Sequence, residues 1–146
     1  MSSPTGTFTL DRSSSKVWQA GLWLAQIALC LMFGMAGVIK LTAAPEAMAS
    51  MGIAWATDVP LALVRFIAAC EVAGAVGLIL PALTRIQPWL TPLAALGLLT
   101  IQVLALGFHA MRGELATAGG TNLVLIALAA FVAWGRTRRV PIAARS

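Results

Sequence analysis

From Leu61 to Leu80 the chain reads LALVRFIAACEVAGAVGLIL, twenty residues carrying two charges, Arg65 and Glu71. As a helix rising about 1.5 Å per residue it spans about 30 Å, the hydrocarbon thickness of a bilayer. Pro81 follows and is expected to end the helix, because a proline lacks the N–H that the next turn needs. Three further apolar runs frame this one, at about 17–40, 89–110 and 121–134. The last is short for a span. The expected fold class is therefore all-α, an integral membrane four-helix bundle occupying residues 17–135.

Composition agrees. Hydrophobic residues make up 60% of the chain and charged residues 10%, and the mean hydropathy is +0.90. A water-soluble domain is about a quarter charged, and this chain would leave large apolar patches facing water. The lipid bilayer is the first partner implied. The net charge of +5 does not indicate nucleic acid, since Arg136, Arg138, Arg139 and Arg145 cluster just beyond an apolar run and no basic face has interleaved aromatics. Ala47-Met48-Ala49 has the form of a signal-peptidase site, but the run before it is longer than a signal peptide's core of about 7–15 residues and is taken as a retained span.

Basic residues also orient the bundle. With four spans, Arg12, Lys16, Arg85, Arg136, Arg138, Arg139 and Arg145 fall on one side, against Lys40 and Arg112 on the other. The positive-inside bias makes the richer side cytoplasmic, N-in/C-in, with Trp18, Trp89 and Trp134 as its interfacial belt. Residues 1–16 are expected to be a disordered cytoplasmic tail and 136–146 a basic one. A multi-pass protein of a bacterial cytoplasmic (inner) membrane is implied.

The connections are read from their turn residues. Pro45-Glu46 open a short helix that Gly52 stops, and Met48, Met51, Ile53 and Trp55 give this segment an apolar side suited to the membrane surface. Asp58 is a candidate cap for the second span. Arg85 and Gln87-Pro88 form a tight turn. Arg112-Gly113-Glu114 with Gly119-Gly120 form the last loop, and Asn122 opens the fourth span.

Polar groups inside spans are costly, about 2.5–3.5 kcal/mol for a central charge, so each requires a reason. At about 100° per residue, Gln26, Cys30, Phe33, Gly37 and Lys40 share one stripe of the first helix. Ala68, Glu71, Gly74, Ala75 and Leu78 share one face of the second, and Gln102 and His109 one face of the third. Lys40, His109 and Asn122 sit at the outer ends of their helices, Arg65 about one turn in, and Glu71 deeper. One polar cluster opening outward accounts for them. The bland alternatives are a snorkelling Lys40, a capping Asn122, an interfacial His109 and a structural ion pair at Glu71. Gly34, Gly37, Gly74 and Gly77 are assigned to close helix packing, and Cys30 and Cys70, without a CxxC pair, to inert apolar positions. No metal-ligand set, phosphate loop or Ser/His/Asp arrangement is visible. The single histidine cannot supply both axial ligands of a bis-His haem.

Gly37-Val38-Ile39-Lys40-Leu41 at the end of the first helix and Glu71-Val72-Ala73-Gly74-Ala75 in the second, followed by His109 and Asn122, resemble the DoxX-like family of small four-helix bacterial membrane proteins. The departure is Ala73-Gly74, where many members carry two adjacent glycines. The resemblance implies a link to quinones, since the family takes its name from a subunit of a thiosulfate:quinone oxidoreductase. On that basis Glu71 and His109 are candidates for proton transfer, and Lys40, Arg65, Gln102 and Asn122 for ligand binding. No electron carrier is encoded, so the expectation is a subunit handling a quinone beside a protein partner or further copies of itself. A non-catalytic scaffold or assembly factor is the alternative, and whether the chain is an enzyme stays open. A small transporter is disfavoured, since no broken helix pair is evident.

Overall fold

The computed structural model describes residues 12–145. Four long helices form the bundle: α1 (Arg12–Thr42), α3 (Leu61–Thr84), α4 (Leu90–Met111) and α5 (Leu115–Trp134). The short α2 (Pro45–Ser50) and a 3₁₀ turn (Ala54–Thr57) lie between α1 and α3, and a π-turn (Gly135–Arg139) prolongs α5. All four long helices are long and apolar enough to cross a membrane. Around the bundle α1 packs on α3, α3 on α4, α4 on α5, and α5 back on α1.

Between 22% and 33% of each apolar stretch is buried inside the protein. Leu24, Leu31, Phe66, Leu83 and Leu104 face outward, and lipid is the solvent that covers such a surface. Because both faces of each helix are apolar, size selects the inner one. Val64, Ala68, Glu71, Ala75, Leu78 and Ala82 form the buried stripe of α3, meeting Leu29, Phe33, Leu98, Leu125 and Ala129 in the core. At Gly37 a Cβ would stand 2.7 Å from Val72 Cγ2 and 3.0 Å from the Ala68 carbonyl, so glycine sets the α1–α3 approach. Gly74 does the same for α3 and α4, against Leu98.

Several boundaries differ from expectation. The 1–16 tail is shorter: α1 begins at Arg12, because hydropathy marks where lipid starts and not where the helix does; residues 1–11 lie outside the described residues. Pro81 does not end α3. It sits within the last turn, Arg85 N–H closes onto the Pro81 carbonyl at 2.9 Å, and the chain leaves through left-handed Arg85 and Gln87. Gly119-Gly120 are helical, which lengthens the fourth apolar helix to Leu115–Arg139 and makes it a full span. Two glycines cost a helix about 1 kcal/mol each, yet packing of α5 on α4 and the apolar run behind them hold the turn. Arg136, assigned to the basic tail, is 3% exposed.

The segment between α1 and α3 folds inward. Met48 is fully buried and, with Ala56 and Val64, makes a small second core backed by Ile39, Ile53 and Trp55, while Met51 stays exposed. This plug closes one end of the bundle. Asp58 is not the cap of α3, whose first turn follows Pro60 without a side-chain cap; its carboxylate reaches Arg112 at 2.8 Å.

Candidate functional site

The polar residues of α1 and α3 meet under the α2 plug. Lys40 Nζ lies 2.5 Å from Glu71 Oε2, with both side chains buried. Opposite charges this close sustain each other in a medium that would otherwise neutralise them. Trp55, from the 3₁₀ turn, places its ring centroid 5.9 Å from Lys40 Nζ and adds a cation–π contact. The Lys40–Glu71 contact is one of charge: Glu71 Oε2 has no protein hydrogen bond of standard geometry among the described residues. Gln102 Oε1, from α4, is buried and also without a partner. Gln102 Oε1 is thus left for something that can donate, next to a carboxylate whose neighbour is the Lys40 ammonium.

His109 and Asn122 complete the ring. Asn122 is buried and donates from Nδ2 to the Ala118 carbonyl at 3.0 Å, so it lies within α5 and does not cap it. His109 Nδ1 donates to Glu114 Oε2 at 2.7 Å, and Arg112 Nε holds the other oxygen at 2.7 Å. The bond from His109, then that from Arg112, holds the Glu114 carboxyl below its ordinary range. Arg112 also takes Asp58 at 2.8 Å and stacks over Phe108. This surface quartet includes Glu114, Arg112 and Asp58, none of them site residues by helical periodicity, because a loop with Gly113 at φ +73° brings them together.

Arg65 leaves the cluster. Its guanidinium donates to the Lys40 carbonyl and, at 2.9 Å, to the Ala43 carbonyl, capping the C-terminal end of α1. Six residues from Glu71, it lies about 120° around α3 from the carboxylate, consistent with these separate destinations. Gln26, on the same stripe as Lys40, serves the opposite end of the bundle. It donates to the Leu78 carbonyl at 2.6 Å and accepts from Arg136 Nε at 2.7 Å.

Two cavities flank the Lys40–Glu71 pair. One, of about 450 Å³, lies between α3 and α4 behind Leu63, Phe66, Ile67, Leu104 and Phe108. The other, of about 500 Å³, lies between α1 and α5 beneath Gly52–Trp55 and is edged by Glu114, Thr117 and Thr121. Lys40, Trp55, Glu71, Gln102, His109 and Asn122 line both. Five of the six site residues expected from sequence therefore converge; Trp55 was placed only as part of an apolar surface. Among the described residues no group of three or more His, Cys, Asp or Glu side chains could hold a metal ion, and Cys30 and Cys70 are free thiols.

No curated protein and no solved structure matches the chain. A family model does: it matches residues 24–132, a stretch that runs from the first turns of the buried α1 stripe through Lys40, Glu71, His109 and Asn122 to Val132 in the last turn of α5, and the chain belongs to the DoxX-like family.

Proposed function

We propose that this multi-pass protein is the membrane subunit of a quinone-linked redox system. The observation that carries the reading is the α3–α4 cavity, whose rim is apolar and whose floor is a buried ion pair beside Gln102 Oε1, a buried acceptor with no partner among the described residues. A ligand that suits it is lipid-soluble, has a flat ring to lie against Trp55 and Phe108, and ends in oxygens that exchange hydrogen bonds. Quinones have that chemistry, and bound there a quinone would supply the capacity to take up or give up two electrons. Lys40, or His109 once its Nε2 carries a proton, would donate to a ring oxygen, Gln102 and Glu71 would accept from a ring hydroxyl, and Glu71 would hold the proton that moves with the electrons. The electrons themselves require a carrier on a protein partner.

The basic residues support an orientation. Arg85, Arg136, Arg138, Arg139 and Arg145 gather at the end away from α2, where Arg145 N–H meets the Arg85 carbonyl at 3.0 Å. We place that end in the cytoplasm of a bacterium and the α2 plug on the far side of the inner membrane. A scaffold or assembly role is the second reading, favoured by an apolar groove on the outside of α4 and α5 lined by Gly107, Gly119 and Gly120.

Native mass spectrometry of the protein released gently from its own membranes tests the choice. A bound quinone lost in the Glu71→Gln variant, with the variant still folded, is the expected result. Phospholipid alone, or a partner without redox groups, would transfer support to the scaffold.

A further inference from the structure

The two cavities differ at their rims while sharing a floor. Between α3 and α4 the rim is Leu63, Phe66, Ile67 and Leu104, and Phe66 and Leu104 are 66% and 68% exposed on what is here the lipid-facing surface. Between α1 and α5 the lining is apolar along Met32, Phe33, Ala36 and Leu125 and polar at Glu114, Thr117 and Thr121, beneath the Gly52–Trp55 loop. A rim that is apolar throughout and faces lipid admits molecules from the bilayer. Hydroxyls and a carboxylate on the side of the loops admit water, and the polar part of a cavity of about 500 Å³ has room for several molecules.

We infer that the α1–α5 cavity is a water-side door to the Lys40–Glu71 pair, through which protons pass by way of His109 while the lipid-soluble ligand occupies the α3–α4 cavity. The ligand's place rests on the redox reading above; the door does not. His109 lines both cavities. Its Nδ1 is committed to Glu114, which fixes the tautomer and leaves Nε2 as the nitrogen that exchanges a proton with water in the cavity. When Nε2 takes a proton from the pair's side, the imidazolium that forms is stabilised by the Glu114 carboxylate, and Nε2 then hands that proton to water in the α1–α5 cavity while Nδ1 keeps its own. Glu114 positions the ring and stays ionised, since Arg112 holds its second oxygen. The charged groups around His109 are Glu114 and Arg112 on its own loop, Asp58 from the turn before α3, and Lys40 and Glu71 across the cavity.

The test uses the full chain in lipid nanodiscs, with Cys30 and Cys70 replaced by alanine. Thr121→Cys should react with a charged, membrane-impermeant methanethiosulfonate at least ten times faster than Leu104→Cys, while a lipid-soluble maleimide labels Leu104→Cys readily. Equal rates, or a Thr121→Cys reached only by the lipid-soluble reagent, overturn the door. Proton passage is then read by infrared spectroscopy after an acid pH jump, with the Glu71 carboxyl band assigned through Glu71→Gln. His109→Phe should slow its protonation about tenfold at unchanged amplitude, and Glu114→Gln, which keeps a hydrogen-bond acceptor, by less. A wild-type rate in both variants, or a Glu71 that never takes a proton in the wild type, removes the route. Neither measurement contains a quinone, so a failure to bind decylubiquinone would count against the redox reading alone.

Discussion

The two ends of the bundle each bury a cation, and they treat it differently. Beneath the α2 plug, Lys40 meets a carboxylate and the pair borders open space on two sides. At the other end Arg136 is 3% exposed, yet its hydrogen-bond partners among the described residues are neutral: Gln26 Oε1 at 2.7 Å, Gln19 Oε1 at 2.6 Å and the Val140 carbonyl at 3.5 Å. Trp23 lies 5.6 Å beneath the guanidinium, and Gly135 next to it admits Leu22 so closely that no Cβ would fit. Packed tightly and held by amides, Arg136 works as a clasp between α5 and α1. The Lys40–Glu71 end has charge complementarity, an unused acceptor and room. Arg136 Nη2 is also buried without a hydrogen-bond partner, so neither a buried charge nor an unfilled hydrogen bond by itself marks a site; open space beside an ion pair does.

That contrast can be broken by mutation. The largest effect is expected at the pair. Lys40→Met or Glu71→Leu alone strands a buried charge and should destabilise the protein by about 3–5 kcal/mol. The double replacement should recover most of that loss, since two apolar side chains pack where two ions stood. Denaturant unfolding in mixed micelles measures the cycle, and singles that are no worse than the double would show that the two ions do not depend on each other for stability. The double variant should still fail to bind decylubiquinone, which separates the stability of this end from its chemistry.

Arg136 comes next. Arg136→Met removes two charge-assisted hydrogen bonds and leaves Gln19 and Gln26 to find other partners, a loss of about 2 kcal/mol. Decylubiquinone binding should be unchanged in this variant. Weakened binding after a change at the far end of the bundle would mean that the two ends are coupled and that the division between clasp and site is wrong.

Much of the α2 end was legible in the sequence, because helical spacing groups Lys40, Glu71, Gln102 and His109 on single faces of their helices, and the order of spans puts Lys40 and His109 at one end with Glu71 deeper below them. Arg65 was misplaced for a local reason: proximity to Glu71 along α3 counts for less than the free carbonyls at the end of α1, which no periodicity displays. Gln26 and Arg136 lie 110 positions apart, and the run of arginines around Arg136 has the composition of a solvated tail. Only the extra turn of α5, carried by the π-turn, brings that side chain inside. Hydropathy also cannot see Gly119 and Gly120 as helical, since their cost is offset by neighbours that belong to another helix.

The smallest expected effect sharpens the outer edge of the site. Glu114 is ionised more readily in the folded protein than its ordinary value of 4.5 implies, first because His109 donates to it and then because Arg112 does. A carboxyl whose pKa is lowered by folding adds stability above its unfolded pKa, and that contribution disappears as the pH falls through the folded value. The wild-type melting temperature should therefore fall on acidification below about pH 4.5, by more than that of Glu114→Gln, and the two curves should run parallel above pH 6. Screening by solvent keeps the difference to a degree or two at this exposed position. Among the described residues Arg136 has no carboxylate as a hydrogen-bond partner, so Arg136→Met should show the full wild-type acid slope. If Glu114→Gln kept that slope as well, the acid sensitivity would have to be carried by another carboxylate, and Glu71 within its ion pair is the one to replace next.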